Sequence, residues 1–260
     1  MTQVKKLWPI LTGTHRYDKS LSTRGHGKGT LIDVPLLAYL IETSNGRILY
    51  DTGCDYNKIA DEVKRKQFYE SEGFAFGAPS MNKEDRLENH LAELGLKKED
   101  VDLVFCSHLH FDAAGGLNEM KHAEVHVHQK ELDSAKALED EAYFAEDFNG
   151  PINWRTYDKE YEILPGVRAV ETPGHSAGHA SLFIELRKGK PILLAGDAAD
   201  LIENIEKEIA PGLCWDNNEE IALESIRKLK RLSVETGSEI WPNHDMKHFK
   251  SKKRVSNYFS

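Results

Sequence analysis

A layered α/β fold is what the apolar pattern of this chain predicts, and three observations carry the prediction. Short apolar, β-branched runs alternate with helical patterns. Four of the later runs end on a histidine or an aspartate. No linker or low-complexity stretch interrupts the alternation, and 260 residues suffice for a sizeable core, with roughly three quarters of the unfolded surface buried on folding.

The elements follow in order. VPLLAYLIET (34–43) and GRILYDTG (46–53) read as consecutive strands, joined by the turn residues Ser44, Asn45 and Gly46. A helix is expected from about Tyr56 to Arg65 and another from about Lys83 to Leu94, where Leu87, Leu91 and Leu94 share one face. Between them, QFYESEGFAFGAPSMN is rich in aromatics and glycine without a clean period, which reads as a long functional loop or lid. VDLVFCS, VRAVET, PILLAG and SEIWPN are short buried-strand patterns, and EVHVHQ alternates as a further strand. A helix from about Asn218 to Ser233 precedes SEIWPN, with Gly237 suited to stop it.

Composition narrows the function classes. The balance of 34 Lys+Arg against 43 Asp+Glu gives a formal charge of −9, which argues against nucleic acid or an anionic membrane surface as partner. MTQVKKLWPIL lacks an apolar run of signal-peptide length, so a soluble, cytoplasmic protein is expected. Cys54, Cys106 and Cys214 are odd in number and lack CxxC spacing, so they read as buried thiols.

The chemistry lies where the apolar runs end. VDLVFCS delivers His108 and His110, with Asp112 two residues on; VRAVET leads to His175, PILLAG to Asp197 and SEIWPN to His244. In His-x-His at a strand end the two imidazoles fall on one side, because side chains alternate along an extended chain. Imidazole with carboxylate is the donor set of zinc, or of iron, manganese or cobalt in a similar cage. His126 and His128 alternate along a strand and read as structural. His179 reads equally as a residue orienting His175 and as an ordinary hydrogen-bonded histidine. His15, His26, His90, His122 and His248 have no supporting context and read as surface residues.

The segments LYDTG, SHLHFDAAGG, TPGHSAGH, GDAAD and NHD, in this order, resemble the metallo-β-lactamase fold and, within it, the N-acyl-homoserine lactonases and the 4-pyridoxolactonase group. The resemblance implies a four-layer αββα sandwich, a single metallo-β-lactamase-like domain over residues 1–260, and one or two Zn2+ ions at its edge. It implies His108, His110 and His175 as ligands of the first metal, Asp112 and His244 as ligands of the second, Asp197 as the bridge and Asp51 in a supporting role. The implied activity is that of a hydrolase opening a lactone ring, as in quorum quenching, on a small-molecule lactone or related cyclic substrate. Water made acidic by the metal attacks the carbonyl, and Asp112 moves the proton to the departing oxygen. Oligomeric state is left open, a homo-oligomer being compatible.

Two positions depart from the family. Its second-site histidine falls at Ala113, whose methyl cannot coordinate; the alanine reads as natural divergence or as an introduced change. Its tyrosine three residues after the bridging aspartate is Asp200, whose carboxylate is assigned either to the depleted second metal, directly or through water, or to a cationic substrate group. The alternatives are a hydrolase of the same fold acting on an amide or other ester, and an impaired variant that binds without turnover. Phosphate and glutathione substrates usually want a basic cluster; Lys247, Lys250, Lys252, Lys253 and Arg254 follow the last ligand and read as a solvated tail. Phe111 is expected to face the pocket, and Phe74, Phe76, Trp154 and Trp215 to form an apolar wall or to pack in the core.

Overall fold

Strand alternation divides the apolar residues into two faces, and a computed structural model places a layer against each. The structure describes residues 4–72, 74–252 and 259–260, so Lys253 and Arg254 of the expected basic tail lie outside the described residues. The first sheet runs in the order β1 (Val4–Asp18), β2 (Leu31–Thr43), β3 (Arg47–Tyr50), β4 (Leu103–Phe105), β5 (Glu124–His128), β6 (Asn153–Tyr157). Its first three strands pair antiparallel and the rest parallel. The second sheet runs β11 (Glu239–Trp241), β10 (Ile192–Leu194), β9 (Ala180–Ile184), β8 (Val167–Glu171), β7 (Glu162–Leu164).

Tyr39, Ile41, Ile48, Tyr50, Leu103 and Phe105 of the first sheet pack on Val167, Ala169, Leu182, Ile184, Ile192 and Leu194 of the second, and this is the central core. Their alternates, Leu40, Leu49, Val104 and Val125, face a helical layer containing Leu87, Leu91 and Leu132. Leu193 and Val170 face the opposite way, onto Leu229. Two sheets with helices on both outer faces form the expected αββα sandwich. Full burial of one such aliphatic side chain contributes about 1.5–3 kcal/mol.

The helices are α1 (Tyr56–Ala60), α2 (Glu62–Phe68), α3 (Leu87–Glu93), α4 (Phe111–Ala114), α5 (Gln129–Ala137), α6 (Ala145–Phe148), α7 (Ile202–Lys207), α8 (Glu219–Thr236) and α9 (Met246–Lys252). The expected helix over Tyr56 to Arg65 is broken at Asp61, whose extended backbone and side chain, accepting from Lys64 N–H at 2.9 Å, start a second helix. The expected helix over Lys83 to Leu94 is broken at Arg86, which is extended between a short 3-10 turn and α3. The helix expected near Asn218 to Ser233 is α8, capped by the Asn218 side chain and ended by Gly237 at φ 68°.

The strand β1 has no counterpart in the sequence expectations. Pro9 and Gly13 interrupt its pattern, and a proline is tolerated because β1 is an edge strand. The aromatic loop following α2 is tied to that edge by Thr14 N–H to Ser80 O (2.9 Å) and Ser80 N–H to Thr14 O (2.8 Å). The strands that end in candidate ligands do not lie side by side in one sheet. The run before His108 is β4 of the first sheet, and those before His175, Asp197 and His244 are β8, β10 and β11 of the second. The candidate ligands therefore meet across the end of the sandwich. No helix among the described residues is long and apolar enough to cross a membrane.

Candidate metal centre

His108 and His110 follow β4, with His110 on extended backbone at φ −69°, ψ 161° opening α4. His175 arrives from the loop after β8. The ring centroids of His108 and His175 are 4.9 Å apart, of His110 and His175 4.8 Å, and of His108 and His110 4.6 Å. His110 Nδ1 and His175 Nε2 approach to 2.9 Å, while His108 Nε2 is buried with no hydrogen-bond partner among the described residues. One nitrogen from each ring lies within 4.8 Å of the others, as a tetrahedral cation requires.

The far side of two rings is fixed by other groups. His108 Nδ1–H donates to Ser107 Oγ (2.8 Å), and that hydroxyl donates to Asp51 Oδ2 (2.7 Å). Asp51 also accepts Ser107 N–H at 2.7 Å, and its φ of 57° turns the chain from β3 towards the site. Burial pushes the Asp51 carboxyl well up, against both Ser107 bonds. His110 Nε2–H donates to Asp140 Oδ2 at 3.1 Å. Burial lowers the His110 pKa, but the Asp140 carboxylate outweighs it and holds it at about 9. A metal at Nδ1 must therefore displace a proton.

The carboxylates gather on the other side. Asp197 Oδ2 is 3.6 Å from His108 Nε2, 3.5 Å from His175 Nε2 and 3.3 Å from His244 Nε2, a central position between two groups of donors. Asp112 Oδ2 is 3.5 Å from His244 Nε2 and Asp112 Oδ1 is 3.8 Å from His108 Nε2. The Asp112 side chain is 15% exposed against 5% for Asp197 and His244, so it is the donor most open to a ligand. His244 Nδ1–H donates to Pro35 O (2.9 Å), which leaves Nε2 facing the carboxylates. Asn243 Nδ2–H donates to Asp197 Oδ1 at 2.7 Å. One oxygen or nitrogen from each of Asp197, Asp200 and His244 lies within 4.8 Å of the others, and the same holds for His108, Asp112 and Asp197.

At the departures, Ala113 is buried and offers no side-chain donor; its carbonyl accepts from Thr52 N–H (2.7 Å) and Thr52 Oγ1–H (2.8 Å). Asp200 is buried, and its Oδ1 has no hydrogen-bond partner among the described residues. Burial and the neighbouring Asp197 push its carboxyl well above the usual range, with His244 and the Ser22 hydroxyl opposing. Ser22 Oγ also bonds the Tyr17 hydroxyl at 2.8 Å.

Several expectations change. His15 is not a surface residue: it is buried, its Nε2–H donates to Gly77 O at 3.0 Å, and it lines the cavity over the carboxylates with Tyr17, Leu21, Phe76 and Leu213. His179 bears on Asp197 rather than His175: its Nδ1–H donates to Thr172 O (3.0 Å) and its Nε2 accepts the Asp197 backbone N–H (2.9 Å). Phe76 and Phe111 line the cavity, and Phe74 packs edge-on against Phe111. Trp154 packs in the outer core instead, and the Trp215 ring N–H donates to Glu139 at 3.2 Å. His126 and His128 are structural, pairing with Glu124 (2.7 Å) and Glu171 (2.9 Å). The three thiols are free and buried.

Sequence reasoning missed the groups that steady the loops. Glu131 of α5 is fully buried; its Oε1 accepts from Leu109 N–H (2.9 Å) and Tyr143 O–H (3.0 Å), its Oε2 from Ser176 O–H (2.6 Å) and Gly178 N–H (3.1 Å). One carboxylate thus clamps the loops carrying His108, His110 and His175. Glu131 and Asp140 sit in polar helical or loop sequence, with no pattern to single them out; Ser107, adjoining a ligand, was the one local signal available.

The model of the metallo-beta-lactamase superfamily matches residues 32–236. An N-acyl homoserine lactonase of Bacillus cereus is 35% identical over 257 residues, covering 98% of this chain and 99% of that protein. N-acyl homoserine lactonase AiiA of Bacillus thuringiensis subsp. kurstaki is 36% identical over 249 residues, covering 95% and 96%. Among solved structures, an N-acyl homoserine lactone hydrolase with the product N-hexanoyl-L-homoserine bound at its catalytic metal centre superposes with a TM-score of 0.89 at 34% identity, covering 100% of both chains. AidC, a dizinc quorum-quenching lactonase, shares the fold at a TM-score of 0.67 and 17% identity.

Proposed function

The chain belongs to the metallo-beta-lactamase superfamily, and from that premise we propose that it is a metal-dependent hydrolase that opens lactone rings, N-acyl homoserine lactones being the class on which its relatives act. The observation that carries the reading is the aim of the donor atoms: His108 Nε2, His110 Nδ1 and His175 Nε2 converge beside Asp197 Oδ2, and His108 Nε2 has no other partner among the described residues. Buried imidazoles aimed at one point fit a cation, and zinc is the ion favoured by three nitrogens and a carboxylate. In this reading His108, His110 and His175 would hold the first ion and Asp112 and His244 the second, with Asp197 placed to serve either. Residues 1–260 are taken as one domain built around them.

A bound divalent cation supplies Lewis acidity, polarising a carbonyl oxygen and bringing the pKa of water towards neutrality. The chain's own groups orient the reaction. Asp112, the most open donor, accepts the proton of the attacking water and returns it to the ring oxygen as the carbonyl–oxygen bond breaks, giving a hydroxy acid. Phe76, Phe111, Leu21 and Leu213 form an apolar wall beside the donors, suited to an acyl chain.

The test is a lactone panel assayed with the metal-loaded protein, after chelation, and after zinc is returned. Ring opening that stops with chelation, recovers with zinc and falls with bound metal in His175→Ala is expected. A fully metal-loaded protein inert to every lactone yet active on an amide or other ester would overturn the proposal.

A further inference from the structure

We propose that Asp200 completes the second cation site in place of the imidazole missing at position 113, making it an oxygen-donor site less selective for zinc over manganese than the imidazole site beside it. The inference rests on the two-cation reading above and deepens it. Asp197, Asp200 and His244 each present a donor atom within 4.8 Å of the others. Asp200 lines the cavity, is only 4% exposed, and leaves Oδ1 without a hydrogen-bond partner among the described residues. A buried carboxylate oxygen with no donor is unfavourable in a protein interior unless a cation meets it.

The backbone holds Asp200 where a ligand is needed. His244 N–H donates to Asp200 O at 2.8 Å and Asn243 N–H to Ala199 O at 3.1 Å, so the two segments bearing Asp200 and His244 are stitched together. The Ser22 hydroxyl, which favours the charged form of Asp200, is itself held by Tyr17 at 2.8 Å. Ala113, by contrast, offers only a buried methyl.

The donor set then decides selectivity. The first site has three imidazoles and a share of Asp197; the second has Asp112, Asp197 and Asp200 with His244 as its one imidazole. Nitrogen donors suit zinc, whereas carboxylates suit manganese and other hard ions. Charge points the same way: the buried Asp197 and Asp200 and the partly exposed Asp112, facing one imidazole, need compensation, which two divalent ions would provide.

The experiment strips the protein with chelator and titrates it with Zn2+ and Mn2+, reading bound metal by elemental analysis and Mn2+ by electron paramagnetic resonance. One tight zinc equivalent is expected, then a second equivalent whose zinc-to-manganese affinity ratio is at least ~10-fold smaller. Asp200→Asn should weaken the second equivalent ~10-fold or more and leave the first unchanged. Ala113→His should return the second equivalent to zinc selectivity, a gain that does not depend on the folding of Asp200→Asn. An Asp200→Asn protein holding both equivalents like the parent, or a parent second site as zinc-selective as the first, overturns the Asp200 assignment alone. Failure of the first zinc equivalent to bind, or its survival in His175→Ala, overturns the two-cation reading instead.

Discussion

The two ends of the site are held by different means. At the imidazole end, His108 and His110 are aligned by side chains behind them, Ser107 with Asp51 and Asp140, and the loops are clamped by Glu131. At the carboxylate end main-chain groups take a larger share: His244 Nδ1–H donates to Pro35 O, Asp197 N–H to His179 Nε2, and the Asp200 and His244 segments bond to each other, with Asn243 Nδ2–H on Asp197 Oδ1 as the side-chain exception. A donor aligned by a chain of side chains tolerates little change, because each replacement disturbs a partner. Donors aligned by backbone bonds can change identity while their positions stay put, and both departures from the family pattern, Ala113 and Asp200, fall at this end.

The sharpest way to break the contrast is Asp197→Ala, since Asp197 Oδ2 stands within 3.6 Å of His108 Nε2, 3.5 Å of His175 Nε2 and 3.3 Å of His244 Nε2. Elemental analysis should find both equivalents depleted, and lactone turnover should fall by about 10³-fold, matching the several kcal/mol a Lewis acid supplies. Retention of one full equivalent would show the ends to be independent.

A smaller effect tests the imidazole end alone. Asp140→Asn should weaken the first zinc equivalent by about 10–100-fold while sparing the second. It should also flatten the pH dependence. With Asp140 present, His110 keeps its proton up to about 9, so zinc affinity climbs as pH rises towards that value; without the carboxylate the proton leaves earlier and the climb ends at lower pH. Equal slopes for both proteins would detach Asp140 from the site.

The smallest effect concerns the cavity wall. Burial lowers the His15 pKa from 6.5 to about 4, so His15 is neutral in the fold while the unfolded chain takes up a proton below about 6.5. Its contribution is complete above the unfolded value and is lost as pH falls towards 4. Urea unfolding from pH 7 to 4 should therefore cost the parent about 3 kcal/mol more than His15→Gln. Parallel losses would mean that His15 is not the titrating group.

The sequence made the donors legible because each follows an apolar run, and strand ends are where a sandwich collects its side chains. It concealed that these runs belong to opposing sheets, since strand pairing is set by long-range packing that local periodicity does not encode. The edge strand β1 was hidden by Pro9 and Gly13, which an edge permits. Its His15 looked isolated because its partner, Gly77 O, lies 62 residues along the chain. Glu131 was illegible for the same reason: its bonds to Leu109 and Gly178 span 22 and 47 residues.

The Glu131 clamp has a consequence for the order of assembly. Because a single buried carboxylate is satisfied only when both ligand-bearing loops have docked, leaving either loop undocked would strand part of its bonding, which couples the two dockings. An arriving ion then finds its nitrogens already in place, and little of its binding free energy goes into ordering chain.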